Sequence, residues 1–178
     1  EYEPFGLVPT ASTTVALAVG DAVAVALLKK RNFKEDDFAR FHPGGTIGKK
    51  LLLRVNELMH KEIPIVHENE KMDAAIRKML EINVGGTIAV NQQNKLVGII
   101  TDGDLKRILL KNQQNIMDKT VFETMTKNPK TICEDVLAVD ALNLMEDNNI
   151  TLLPVVDEQH RPVGILQMHD LIKAGVVG

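Results

Sequence analysis

Apolar positions along this chain change period several times, and each change marks an element. Met72, Ala75, Ile76, Met79 and Leu80 recur at helical spacing, which predicts one apolar helix face. The runs GTIAV and KLVGIIT follow, parted by the polar stretch Asn91 to Asn94, the signature of a β-hairpin. IPIV, before the helix, predicts a short strand, and DGDLKRILLK, after the hairpin, opens with acids that suit a helix N-terminus. The expected order is strand, helix, strand, strand, helix. The same order returns in TIC, a helix carrying Ala138, Ala141, Leu142 and Met145, then LLPVV, PVGILQ and MHDLIKAG.

One offset relates the two passages. Adding 66 to Val55, Met59, Ala75, Met79, Val97, Gly98 and Asp104 gives Val121, Met125, Ala141, Met145, Val163, Gly164 and Asp170. A constant, ungapped offset over about fifty residues is an internal duplication rather than a chance match of one phrase. The repeats span 55–111 and 121–178, with the polar stretch 112–120 between them as a linker. Neither copy is long enough to enclose a core alone, so the pair is expected to pack sheet to sheet about a pseudo-twofold axis, with two clefts. The fold class is α/β in the broad α+β sense.

Residues 1–54 differ from both repeats. Ser12, Thr13 and Thr14 are placed to cap a helix running to about Arg31, with Asn32 as its stop. Its apolar run, Val15 to Leu28, is short for a bilayer and carries Asp21, which predicts a buried globular helix. KEDDFARF is a short amphipathic turn or helix, and HPGGTIGKK a glycine-rich loop. One helix without a sheet is too little for a domain, so this region is expected to be the tail of a larger one lying upstream of Glu1.

Composition narrows the function classes. The chain of 178 residues is 44% hydrophobic, with net charge -3, and it lacks the basic face that nucleic acid requires. Cys133 is the sole cysteine, which leaves no disulfide framework or cysteine zinc site and suits a reducing cytoplasm. It is expected to act as a small buried hydrophobe. His60, His67, His160 and His169 show no zinc-binding spacing, and GGTIGKK lacks the residues of a phosphate-binding P-loop. Lys106 and Arg107 fit a solvated helix face.

The candidate chemistry lies where the repeats differ. In GIITDGDL, Gly98 lets a ligand approach the backbone, Thr101 offers a hydroxyl, and Asp104, in the first helical turn, can accept both hydroxyls of a ribose. The second copy, GILQMHDL, keeps Gly164 and Asp170, places Gln167 in the hydroxyl position and adds His169 beside the cleft. The two sites are therefore expected to be unequal. Helix capping alone is an equally good account of Asp104 and Asp170.

The G-x-x-T-x-x-D phrase resembles that of tandem cystathionine-beta-synthase (CBS) domains, which implies a cleft for AMP, ATP or another nucleotide. GLVPTASTTVALAVGDAVAVALL together with DFARFHPGGTIGKKLLLRV resembles the segment that joins a sugar isomerase (SIS) domain to a CBS pair in arabinose-5-phosphate isomerases of the KpsF/GutQ type. That resemblance implies a cytoplasmic, oligomeric parent enzyme, a tetramer built on CBS-pair dimers. It would interconvert D-ribulose 5-phosphate and D-arabinose 5-phosphate through an enediol, without a cofactor, for synthesis of the lipopolysaccharide sugar Kdo. It also implies that Glu1 and His42 are catalytic, that the remaining site residues lie upstream, and that the chain alone is inactive. A pathway product such as CMP-Kdo is then a candidate effector. Two other readings stay open: a stand-alone nucleotide sensor, and a CBS pair that only dimerises.

Overall fold

The structure, a computed structural model, describes residues 8–34, 37, 52–110 and 116–176. Glu1, His42 and the glycine-rich loop lie outside the described residues. Helix α1 (Thr10–Lys30) is followed by α2 (Val55–Leu58), β1 (Ile65–His67), α3 (Met72–Ile82), β2 (Gly86–Val90), β3 (Leu96–Thr101) and α4 (Asp102–Leu110). A 3-10 turn (Ile116–Asp118) leads into α5 (Val121–Thr124), β4 (Thr126–Lys127), β5 (Ile132–Cys133), α6 (Ala138–Asp147), β6 (Leu152–Val156), β7 (Pro162–Gln167) and α7 (Met168–Ala174).

Two sheets result, ordered β1-β2-β3-β4 and β5-β6-β7. In each, an antiparallel hairpin (β2 with β3, β6 with β7) carries a parallel partner on its outer side, β1 on β2 and β5 on β6. The hairpin turns are closed by matching side chains. Asn91 Oδ1 accepts from the amides of Gln93 and Lys95, and Asp157 Oδ1 from those of Gln159 and Arg161, local bonds for which Asn and Asp are favoured in turns.

The sheets pack on each other through Ile88, Val90 and Ile99 on one side and Leu152, Val156 and Ile165 on the other. On their outer faces the helices build two further clusters, and these exchange parts between the repeats. Val55, from the first repeat, is buried with Ala138, Ala141, Met145, Leu153 and Leu166 of the second. Val121, from the second, is buried with Met72, Ala75 and Ile100 of the first. Backbone bonds reciprocate: Val55 N–H donates to Val136 and Val121 N–H to Glu70, while the bridges Arg54–Leu137 and Lys71–Thr120 are mates under the same offset. Each repeat therefore completes the other's core.

Three expectations change. No residue of α1 is buried among the described residues. Apolar side chains surround the helix instead of forming a stripe, a pattern that only a larger apolar setting covers. The helix is 21 residues long, which by length and composition alone also suffices to cross a bilayer. The hydroxyls of Thr13 and Thr14 turn back to the carbonyls of Pro9 and Thr10 rather than capping, because the helix already starts at Thr10. Cys133 is exposed, since β5 is a two-residue edge strand and only Ile132 turns inward.

Candidate functional site

The C-terminal ends of β3 and β7 and the helices after them flank two adjoining cavities that share Gly85, Thr151 and Leu152. The first, about 570 Å³, is walled by Thr101, Asp104, Arg107, Thr126, Asn128, Lys130 and Asn149 among others. The second, about 480 Å³, is walled by Asn83, Val84, Gln167, Met168, His169 and Ile172 besides the shared residues.

Thr101 and Asp104 form the N-terminal lock of α4. Asp104 Oδ2 accepts from the Thr101 amide at 2.9 Å and from its hydroxyl at 2.7 Å, and Thr101 Oγ1 accepts in turn from the Asp104 amide at 3.2 Å. This reciprocal arrangement is a capping box. The capping account of Asp104 thus holds, and it leaves the second oxygen to other partners. Oδ1 accepts from Arg107 Nη2 at 2.6 Å and from the Thr126 hydroxyl at 3.4 Å. Partial burial is the largest single influence on this carboxyl and would raise its pKa. The Thr101 hydroxyl and amide and the Arg107 guanidinium together outweigh it and hold the group below the usual carboxylate range. The result is a fixed anion paired with Arg107 in the wall of a cavity that Lys130 also lines, and the two cations suit a phosphate.

The glycines have a different role from the one expected. Gly98 lies within β3, opposite Lys127 of β4, and a Cβ there would stand 2.7 Å from Met125 Cγ; one at Gly164 would stand 3.0 Å from Met59 Cγ. Each glycine makes room for a methionine from the other repeat, not for a ligand. His169 does line the second cavity. Asp170 turns aside: its Oδ2 lies 2.9 Å from His60 Nε2, and α7 has no side-chain cap from Gln167.

Arg107 is exposed, as expected of a solvated face, and it also lines the cavity because the turn of α4 that presents Asp104 presents residue 107. Thr126, Asn128 and Lys130 were not anticipated at all. They follow α5, and only the exchange of segments brings them to the first cleft. The one sequence signal was the repeat offset itself, which pairs Thr126 with His60. Among the described residues no cluster suited to a metal ion occurs.

Comparison with known proteins fits this architecture. The arabinose 5-phosphate isomerase KdsD of Pseudomonas aeruginosa is 45% identical over 176 residues, covering 98% of this chain and 54% of that protein. The Francisella tularensis protein of the same name is 48% identical over 172 residues, covering 96% and 52%. The chain thus spans about half the length of the curated relatives it matches. Among solved structures, the CBS domain pair of MJ0100 in complex with 5-methylthioadenosine and S-adenosyl-L-methionine is 32% identical, with a TM-score of 0.61 over 67% of this chain and 93% of that one. CBSX2 in complex with AMP is 25% identical, with a TM-score of 0.60 over 70% and 96%. The CBS domain model matches residues 55–111 and 119–177, the two halves that share sheets, exchanged helices and adjoining cavities, and the chain belongs to the CBS domain family.

Proposed function

We propose that this chain is the regulatory half of a D-arabinose 5-phosphate isomerase and that its first cleft binds a nucleotide or nucleotide sugar. The observation that carries the ligand reading is the first cavity, whose wall holds a fixed carboxylate, Asp104, bonded to Thr101 and Arg107, together with a second cation, Lys130. A ribonucleotide has matching parts: ribose hydroxyls to donate, phosphate to accept. Related CBS pairs in complex with AMP and with S-adenosyl-L-methionine support the ligand class.

The parent activity rests on the similarity to the arabinose 5-phosphate isomerases across nearly all of this chain. In that reading Glu1 and His42 contribute to the isomerase site. Moving a proton between adjacent carbons requires a carboxylate-type base, and opening the ring or polarising the carbonyl requires a second group. The apolar surface of α1 is then covered by the domain to which residues 1–54 belong, in a cytoplasmic homo-oligomer. The effector would be AMP, ATP or a cytidine product of the pathway, CMP-Kdo.

Titration calorimetry with AMP, ATP, CMP and CMP-Kdo tests the module. Saturable binding of at least one, lost in Asp104→Ala, is expected; heat from none of them would leave a dimerisation role. In the full-length parent, Glu1→Gln and His42→Ala are each expected to abolish isomerisation, and normal turnover in both would overturn their assignment.

A further inference from the structure

Resting on that nucleotide reading, we infer that the pair holds a single nucleotide, in the first cleft, and that His60 withholds Asp170 from the second cleft by serving as its internal ligand. The two aspartates are mates under the repeat offset but have different partners. Asp104 is held by Thr101, the last residue of the preceding strand, and by Arg107 of its own helix, with its cross-repeat neighbour Thr126 only at 3.4 Å. Asp170 has lost the threonine, replaced by Gln167, and is met at 2.9 Å by an imidazole from the other repeat. His60 stands where the first cleft has Thr126.

The imidazole is delivered by fixed backbone. His60 N–H donates to Ile165 O at 2.8 Å and Ile165 N–H to His60 O at 3.0 Å, while the preceding Met59 is seated over Gly164. Its ring occupies Asp170 Oδ2, and Asp170 is absent from the lining of the second cavity, whereas Asp104 lines the first. The second cavity also differs in charge: its lining contains neither lysine nor arginine, whereas Arg107 and Lys130 line the first. A nucleotide there that used Asp170 for its ribose would have to displace His60, and it would leave its phosphate without a cation.

Stoichiometry reads this directly. Equilibrium dialysis with AMP and with CMP is expected to give one nucleotide per chain for the wild type and for Asp170→Ala, and none for Asp104→Ala. His60→Ala, and His60→Thr, which copies the first cleft, keep the backbone bridge. They are expected to admit a second nucleotide at least tenfold more weakly, and Asp170→Ala on either background should remove it. Two nucleotides on the wild type, or one on both His60 variants with unchanged melting, would overturn the role of His60 while leaving the nucleotide reading intact. No uptake by any form would overturn the nucleotide reading and this inference with it.

Discussion

Met125 fills the space in which a side chain at Gly98 would have to sit, and under the repeat offset Met59 does the same for Gly164. The two contacts cross between repeats, so each glycine helps to hold the pair together. Gly98→Ala is expected to destabilise the chain by about 1–3 kcal/mol, because an added methyl group in a packed site forces its neighbours to shift. On a Met125→Ala background the same change should cost less by more than about 0.5 kcal/mol. Urea unfolding of the four members of the cycle measures the coupling, and equal costs on both backgrounds would dismiss it.

The acid limb of stability should report Asp104. Its pKa is lowered in the folded chain, so folding favours the carboxylate. The resulting stabilisation is complete above the unfolded carboxyl's ordinary range and is lost as pH falls through the lower folded value. Melting temperatures of Asp104→Asn should therefore lie below wild type at pH 6 and converge with it as pH drops below about 4. Parallel curves throughout that range would mean that other carboxyls carry the limb.

Lys130 should distinguish phosphate from sugar recognition. Lys130→Ala is expected to weaken AMP by about tenfold or more, the scale of a lost charge-assisted bond, and to leave adenosine binding unchanged. Asp104→Ala should weaken both. A Lys130 variant that binds AMP normally would place the phosphate elsewhere.

Because no residue of α1 is buried among the described residues, a chain beginning at Leu52 should melt within a few degrees of the full 178 residues, judged by circular dichroism. It should also self-associate less in light scattering, since it lacks an apolar helix with no covering surface. A large drop in melting temperature would mean that α1 packs on the repeats.

Much of this was legible in sequence wherever the signal was local. The strands of both hairpins, the apolar faces of α6 and of α3 apart from the exposed Leu80, and the Thr101 and Asp104 pair all follow from spacing within a dozen residues. What stayed hidden depends on contacts between the repeats. Gly98 reads locally as a place for a ligand to approach, and only the position of Met125 shows otherwise. Thr126, Asn128 and Lys130 sit beside a short helix that packs on the other copy, so no local pattern attaches them to Asp104. His60 looked like an isolated histidine for the same reason: its partner is 110 positions away.

The reciprocal exchange of α2 and α5 sets the terms on which the two clefts can evolve. A single repeat would need a second identical molecule to close its core, and in such a symmetric dimer any substitution would enter both clefts at once. Joined in one chain, positions 60 and 126 mutate independently, as do 101 and 167. The fusion frees one cleft from the other, so a histidine can engage the aspartate of the second copy without touching that of the first.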